Sequence, residues 1–332
     1  MSWPGWWQQT RAWPTRLLSP LGRAVCSIAR QRRRQFEQAF MPTLPTAVIV
    51  VVGNVTVGGS GKTPLIMRLG EALAQAGIAY GIVSRGYGGK AADYPLAVRA
   101  DCDPGVCGDE PCLLARRLGV PVVVAPQRMA AVAHLLQTHP QVQVILSDDG
   151  LQHFALPRDL AVVVADGQRG FGNGHCLPAG PLREPLAVLD TVDFRLCNGV
   201  SEDPRLVDWP VMRLQPQYWV NPQGEQQPLT AFCNRPVNAL AGIGNPQRFF
   251  DQLVALGIRP LRTWALPDHA APALIEKTVA EGGIWLMTEK DAIKCPDRDN
   301  VWALVVRPQL PSAWLNAWLD AVKTRLKVKY ES

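Results

Sequence analysis

The chain of 332 residues is 47% hydrophobic and 19% charged, the balance of a globular protein, and its length exceeds what one core usually serves, so we expect two domains. It has no apolar run near the roughly 20 residues that span a bilayer and no apolar N-terminal segment typical of a secretory signal, so we expect its body to stay in the cytoplasm. Residues 1–40 hold seven arginines and one glutamate, which accounts for the whole net charge of +6, because the remaining residues carry 27 basic and 27 acidic side chains.

Residues 1–40 are predicted to form a basic amphipathic helix that docks on an anionic membrane surface. The four tryptophans of this segment are Trp3, Trp6, Trp7 and Trp13. The apolar stripe of the helix predicted over 15–40 comprises Leu17, Leu21, Ala24 or Val25, Ile28, Phe36 and Phe40, and the arginines off this stripe are Arg16, Arg23, Arg30 and Arg34. Tryptophan favours the lipid headgroup region, and arginine is attracted to anionic lipid. A helix packed on the protein body with a solvated arginine face is the alternative, whereas nucleic acid is disfavoured because no nucleic-acid motif accompanies the patch.

The stretch GNVTVGGSGKTP (53–64) is predicted to bind the phosphates of a nucleoside triphosphate. It follows an apolar run and precedes apolar residues at helical spacing, which is the strand–loop–helix context of a phosphate-binding loop. Glycines let the backbone turn its N–H groups toward phosphate, Lys62 would reach the β- and γ-phosphates, and the Thr63 hydroxyl would ligate Mg²⁺. Thr56 departs from the common pattern, which has glycine there. The predicted nucleotide-binding residues are Thr56, Val57, Gly58, Gly59, Ser60, Gly61, Lys62 and Thr63.

Apolar runs alternate with helical patterns after this loop, which predicts a P-loop NTPase-like α/β fold: a mostly parallel sheet with helices on both faces. The runs lie at 80–84, 120–125, 142–146 and 160–165. Ligands bind such sheets at the carboxyl ends of the strands. The third run leads into Asp148 and Asp149, either of which could be the strand-end carboxylate that binds Mg²⁺. Asp109 and Glu110 precede a predicted helix, and capping of that helix is the simplest role for both.

The chain is predicted to divide into a P-loop domain at 41–208, an inter-domain hairpin and linker at 209–236, and a smaller α/β domain at 237–332 that closes over the site as a lid. Cysteines recur every five residues from Cys102 to Cys112 without a partnering histidine, and we expect reduced thiols there rather than metal ligands.

Seven stretches between residues 53 and 294 resemble the tetraacyldisaccharide 4′-kinases of lipid A synthesis. They are GNVTVGGSGKTP (53–64), SRGYGG (84–89), GDEP (108–111), SDDGLQH (147–153), LPAGPLRE (177–184), PDH (267–269) and TEKDAIK (288–294). The basic, aromatic N-terminal segment also fits this family, and the family's loop pattern accommodates Thr56. The chain departs at Ala270, where the family often has a polar or aromatic residue.

The resemblance implies transfer of the γ-phosphoryl group of ATP, with Mg²⁺, to the 4′-hydroxyl of a tetraacylated glucosamine disaccharide 1-phosphate. The lipid would lie in the bacterial inner membrane, and the enzyme would act peripherally at its cytoplasmic face. The roles implied by the resemblance are transferring-phosphate contact for Lys62, general base for Asp109, assistance to that base for His269, a metal contact for Glu110, and sugar-phosphate contacts for Arg183 and Glu184. Since Asp109 and His269 lie in different predicted domains, they would meet when the domains close.

A P-loop ATPase or GTPase switch that delivers a partner or a metal at the membrane is the alternative from another functional class. The P-loop, the aspartate pair and the basic helix fit a switch equally well. The switch gives no reason for GDEP, LPAGPLRE and PDH to occur together. The tetrapeptide TEKD (288–291) partly resembles the guanine-binding signature [NT]-K-x-D, which keeps this alternative open.

Overall fold

The structure of the protein, a computed structural model, describes residues 3–9, 11–38 and 46–331. The helices are α1 (Trp13–Gln38), α2 (Lys62–Gln75), α3 (Pro104–Cys107), α4 (Asp109–Leu118), α5 (Arg128–Thr138), α6 (Pro246–Ala255), α7 (Pro272–Val279), α8 (Glu289–Ala292) and α9 (Ser312–Glu331). The strands are β1 (Val48–Gly53), β2 (Tyr80–Ser84), β3 (Leu96–Val98), β4 (Val122–Val124), β5 (Val144–Asp148), β6 (Leu160–Asp166), β7 (Phe194–Asn198), β8 (Val211–Val220), β9 (Gln226–Gln227), β10 (Val237–Ala241), β11 (Arg262–Ala265), β12 (Ile284–Thr288) and β13 (Val301–Gln309).

One sheet runs through the described part of the chain in the order β11-β10-β12-β13-β8-β7-β6-β1-β5-β2-β4-β3, with β9 paired to β8. Neighbouring strands are parallel except where β3 meets β4 and where β8 meets β13 and β9. Strand β1 lies between β5 and β6, with Val52 opposite Asp148. The predicted mostly parallel α/β fold is confirmed, and the carboxyl ends of β1, β5 and β2 lie side by side.

Apolar layers cover both faces of the sheet around β1. Val50 belongs to a layer with Leu69 of α2 and Trp318 of α9, whereas Val51 belongs to the opposite layer with Leu135 of α5. Successive residues of a strand point to opposite faces, so a strand buried on both sides consists of an unbroken apolar run. Each fully buried side chain of this size contributes about 1.5–3 kcal/mol. The centre of the sheet is therefore a firm base for the loops at its carboxyl end.

Strand β8 connects the two parts of the sheet: a first part that comprises β1 to β7 and a second part that comprises β10 to β13. It runs parallel to β7, where Asn198 lies opposite Met212, and antiparallel to β13. Helix α9 then returns from the second part to the first: Trp314 Nε1 donates to the backbone oxygen of Arg195 at 3.1 Å. The segment 237–332, predicted as one lid domain, thus includes a helix that packs on the first part of the sheet. The domain boundaries stay a prediction.

The hairpin that the sequence predicts near residues 209–230 turns at 221–225. Its strands are unequal, because β8 is a single strand of 10 residues and β9 has only 2. A register shift between Val305 and Val306 of the facing strand accommodates Pro216 inside β8. Proline has no N–H for the ladder and is tolerated at such irregularities.

The predicted N-terminal helix is present as α1, and its apolar stripe is partly open to solvent. Leu17 and Leu21 are 69% and 57% exposed. Phe40, the last position of the predicted stripe, lies outside the described residues. Within the described residues, no helix has the length and apolar character needed to cross a membrane.

A disulfide joins Cys26 of α1 to Cys176 in the loop after β6. Because 150 residues separate the two cysteines, no local pattern in the sequence predicts this pair. Cys102, Cys107 and Cys112 are free thiols, as the sequence predicts.

Candidate active site

The loop between β1 and α2 has the backbone form of a phosphate-binding loop. Gly58 and Gly61 both have φ of 95°, a left-handed conformation that glycine adopts without strain. A Cβ atom on Gly61 would collide with the side-chain amide of Asn198. Among the described residues, none accepts a hydrogen bond from the backbone N–H groups of 58–61. These groups and the positive end of α2 are therefore available to an anion.

The first residues of this loop are hydrogen-bonded to the segment just after Cys176. Thr56 pairs with Leu182 in a β-bridge, and the Val57 N–H donates to the Pro181 carbonyl at 2.9 Å. The Ser60 hydroxyl is buried and finds no partner among the described residues. Thr56 and Val57 thus shape the loop, while their contact with nucleotide stays a prediction.

Lys62 begins α2 and lies between an amide and a carboxylate. Its Nζ is 3.4 Å from Asn54 Oδ1 and 3.4 Å from Asp149 Oδ1. The Lys62 side chain is only 10% exposed, so its charge acts in a poorly screened environment. Thr63 follows in the first turn of the helix.

The adjacent aspartates at the end of β5 have opposite electrostatic environments. Burial raises the pKa of Asp148 to about 7, and the negative charges of Glu110 and Asp149 act in the same direction. Burial favours a raised pKa for Asp149 too, but the charges of Lys62 and Arg183 outweigh it and lower that pKa below its usual value. Asp149 is therefore ionised at neutral pH, whereas Asp148, with its pKa of about 7, takes up a proton close to neutral pH.

The oxygen groups at this edge of the sheet fit Mg²⁺. In the described residues, no three His, Cys, Asp or Glu side chains form a metal site by themselves. Mg²⁺ in kinases is typically held by one or two carboxylates together with substrate phosphates, so such a cage is not required. Asp148 Oδ1 is buried and has no partner among the described residues, as expected of an oxygen reserved for a ligand.

A second cluster brings together residues from both parts of the chain. Asp109, in the first turn of α4, has Oδ2 at 3.3 Å from His269 Nδ1 and at 2.8 Å from Lys294 Nζ. His269 has φ of 58° and lies edge-on to the Tyr87 ring, with ring centroids 4.7 Å apart. The structure therefore places Asp109 and His269, which the sequence predicts as a catalytic pair, in direct contact.

The Asp109 carboxylate is held in its ionised form. Burial favours a raised pKa, but the His269 hydrogen bond and the Lys294 charge outweigh it and lower the pKa of Asp109. Both partners bind Oδ2, and Oδ1 takes no hydrogen bond from the described residues. Asp109 can thus accept a proton at one oxygen while the other is fixed.

Sequence reasoning assigned no role to Lys290, Lys294 or Asp268. Lys290 Nζ bridges the two parts of the chain, at 3.3 Å from Glu110 Oε1 and 3.0 Å from Asp268 Oδ1. Burial favours a lowered pKa for Lys290, but these two carboxylates outweigh it and raise the pKa. The sequence did contain one indication of the two lysines. The charged segment TEKDAIK directly follows an apolar run, and functional groups in such sheets lie at the carboxyl ends of the strands.

The TEKD tetrapeptide caps a helix. Asp291 Oδ2 accepts a 2.6 Å hydrogen bond from the Thr288 hydroxyl and a 3.0 Å bond from the Gly242 N–H. The Asp291 side chain is fully buried. It is therefore committed to the start of α8 and to the loop after β10, and is not placed to read a guanine base.

The two residues predicted to contact the sugar phosphate are both occupied by protein partners. Arg183 Nη1 donates to Asp149 at 2.8 Å. Glu184 is 2% exposed, with Oε2 bound to Arg33 and Oε1 bound to Gln152. Substrate contact by Arg183 and Glu184 stays a prediction, and Glu184 has a structural role already.

A family model and two relatives that match most of this chain have the same name. The family model described as tetraacyldisaccharide-1-P 4′-kinase (LpxK) matches residues 14–324. A tetraacyldisaccharide 4′-kinase of Hydrogenovibrio crunogenus is 43% identical over 322 residues, which cover 95% of this chain and 96% of that protein. One from Pseudomonas aeruginosa is 45% identical over 313 residues, covering 92% of each.

A solved structure agrees with these relatives. The crystal structure of LpxK from Aquifex aeolicus in complex with ATP is similar with a TM-score of 0.77 at 28% identity, covering 94% of this chain and 99% of that one. The alternative interpretation, a P-loop switch that delivers a partner or a metal, is not supported by these matches.

Proposed function

This chain belongs to the tetraacyldisaccharide 4′-kinase family, and we propose that it transfers the γ-phosphoryl group of ATP to the 4′-hydroxyl of a tetraacylated glucosamine disaccharide 1-phosphate in lipid A synthesis. The observation that carries this proposal is the contact of Asp109 with His269 and Lys294, which provides an ionised carboxylate with one free oxygen at the carboxyl end of the sheet. Phosphoryl transfer to an alcohol needs such a proton acceptor beside a phosphate-binding loop.

ATP binds through the loop at 56–63 in this proposal. The unoccupied N–H groups of the loop and the N-terminus of α2 receive the phosphate oxygens, and Lys62 contacts the transferring phosphate. Lys62 is already oriented by Asn54 and Asp149, so little side-chain freedom is lost when nucleotide binds.

Mg²⁺ would be held by the Thr63 hydroxyl, by the carboxylate of Glu110 and by one of the two aspartates at the end of β5, Asp148 or Asp149. When bound, it supplies positive charge to the phosphate oxygens as negative charge develops there. Asp148 best fits direct ligation, because its Oδ1 is buried and unpartnered among the described residues. Asp149 is bound to Arg183 and is better suited to orienting Lys62.

Asp109 accepts the proton of the sugar 4′-hydroxyl at Oδ1. His269 and Lys294 fix Oδ2, so that the free oxygen points consistently toward the acceptor. Lys290 holds Glu110 and Asp268 together across the two parts of the chain, which supports a lid role for 237–332. Closure of such a lid excludes water that would otherwise take the phosphoryl group.

The enzyme is peripheral at the cytoplasmic face of the bacterial inner membrane in this proposal, and residues 1–40 are its anchor. The exposed leucines Leu17 and Leu21 suit insertion among lipid headgroups, and the arginines of the same segment suit anionic lipid.

The test is phosphorylation of a defined acceptor by the full chain. Protein, Mg²⁺ and ATP labelled on the γ-phosphate are incubated with a tetraacylated disaccharide 1-phosphate in mixed micelles, and the label is expected in the lipid. The matched control acceptor already carries a 4′-phosphate and should stay unlabelled. Release of label only as inorganic phosphate would contradict the proposal.

A further inference from the structure

A buried ion pair joins helix α1 to the loop that precedes β7. Arg33 donates from Nε and Nη2 to Glu184 Oε2, at 3.2 and 2.8 Å. The Arg33 side chain is only 11% exposed and that of Glu184 only 3%, whereas Arg32 and Arg34 are exposed. Among the described residues, every hydrogen bond of the Arg33 guanidinium goes to Glu184. Arg33 thus differs from its neighbouring arginines, which are available to lipid.

Gln152 continues this connection to the phosphate-binding loop. Its Nε2 donates to Glu184 Oε1 at 3.0 Å and to the Asn54 carbonyl at 3.0 Å. Asn54 Oδ1 in turn lies 3.4 Å from Lys62 Nζ. The contacts therefore run from Arg33 to the lysine that begins α2, with Asn54 binding Gln152 through its backbone carbonyl and Lys62 through its side chain.

A second branch reaches the same lysine from the other side. Gln152 Oε1 accepts from Arg183 Nη1 at 3.3 Å, and the same Nη1 lies 2.9 and 2.8 Å from the two oxygens of Asp149. Asp149 Oδ1 is 3.4 Å from Lys62 Nζ. Both groups that orient the Lys62 ammonium are therefore linked to Gln152, and Gln152 is linked to Glu184.

Helix α1 contacts this region independently, two turns before Arg33. The Cys26–Cys176 disulfide ties it to the loop whose Leu182 pairs with Thr56. Residues 26 and 33 are seven apart and lie on the same side of a helix. One side of α1 is thus fixed to the protein, while Leu17 and Leu21 stay open to solvent.

We propose that Arg33 is a positioning residue for Lys62, so that α1 forms part of the nucleotide site as well as the membrane anchor. This inference rests on the proposed ATP site but not on the identity of the acceptor. Without Arg33, Glu184 is a buried carboxylate without its cation, and such a group has to move or take up a proton. Gln152 then loses a fixed partner, and Lys62 loses its orientation.

Nucleotide affinity in the absence of lipid tests the inference. Binding of a non-hydrolysable ATP analogue with Mg²⁺ is measured by calorimetry for the full-length parent, Arg33→Gln and Arg34→Gln. Both variants lose one charge from the same helix, but only Arg34 is exposed, so Arg34→Gln should weaken binding to anionic vesicles more than Arg33→Gln does. We expect the dissociation constant to rise about five-fold or more in Arg33→Gln only. Parent-like affinity in Arg33→Gln, or an equal rise in Arg34→Gln, overturns the inference.

A double-mutant cycle separates positioning from general loss of structure. Glu184→Gln removes the buried charge that Arg33 neutralises, so Arg33→Gln should cost no further nucleotide affinity in that background. Any contact of Glu184 with the sugar phosphate is silent here, because no acceptor is present. Equal losses in both backgrounds overturn the inference. Lipid phosphorylation by the parent is measured separately, and its absence would refute the proposed function instead.

Discussion

Replacement of Lys294 by methionine is expected to destabilise the protein strongly, because it removes the cation from a buried ion pair. The Lys294 side chain is fully buried, and its ammonium lies 2.8 Å from Asp109 Oδ2 and 3.0 Å from the Ala270 carbonyl. Removing one partner of such a pair typically costs about 3–5 kcal/mol. His269 keeps its contact with Asp109 in the variant, so we expect the lower end, about 3 kcal/mol.

Urea unfolding at pH 7 without nucleotide measures this loss in the free energy of unfolding. Asp109→Asn combined with Lys294→Met replaces the whole pair by neutral side chains, and this double variant should be more stable than Lys294→Met alone. It should nevertheless lack kinase activity, because asparagine cannot accept the hydroxyl proton. Lys323→Met on α9 is the matched control at an exposed position, where we expect a change within about 0.5 kcal/mol.

The pH dependence of the stability difference between the parent and Lys294→Met gives a further check. The pKa of Asp109 is lowered in the folded protein, so the stability from the pair is fully present above the unfolded value near 3.8 and is lost as pH falls through the lowered folded value. The difference between parent and Lys294→Met should be full at pH 7 and narrow below about pH 4. A Lys294→Met protein as stable as the parent at pH 7, or a double variant less stable than Lys294→Met alone, would contradict the predicted loss.

Three further predictions concern the nucleotide loop and the anchor. Lys62→Ala should lower kinase turnover by orders of magnitude with an unchanged far-UV spectrum, and near-normal turnover would remove the P-loop assignment. Gly61→Ala forces a side chain to φ of 95° against Asn198, so thermal unfolding should report a loss of about 1–3 kcal/mol, and an unchanged melting temperature would contradict that strain. Leu17→Ser with Leu21→Ser should weaken binding to anionic vesicles about ten-fold or more, because each leucine contributes over about 1 kcal/mol on burial. Undiminished co-sedimentation would mean that this stripe does not contact lipid.

The fold and the phosphate-binding loop were predictable because their determinants are local in sequence. The loop at 53–64 needs consecutive residues of defined type, and the apolar run before it directly predicts the buried strand. The strands of the predicted hairpin near 209–230 were less predictable, because β8 continues through Pro216 with a register shift against β13 that no local pattern indicates.

The ion pairs of the site could not be predicted, because their partners are far apart in the chain. Lys294 contacts Asp109, and Lys290 contacts Glu110. These contacts depend on the order of the strands across the whole sheet, which brings distant segments of the chain together. The TEKDAIK segment was recognisable as a motif, but nothing in it indicates which carboxylate each lysine faces. The partner of Glu184 could not be predicted either, because it is an arginine of the N-terminal helix.

In the proposed function, Asp109 and His269 act as one unit on the acceptor hydroxyl. Single-turnover transfer of labelled γ-phosphate to the disaccharide 1-phosphate, with ATP saturating, tests it most directly in the parent, Asp109→Ala, His269→Ala and the double variant. We expect Asp109→Ala to slow transfer by about 10²–10⁴-fold, His269→Ala to slow it as well, and the double variant to lose less than the product of the single losses. Transfer at the parent rate in Asp109→Ala, or strictly multiplicative losses, would contradict the claim.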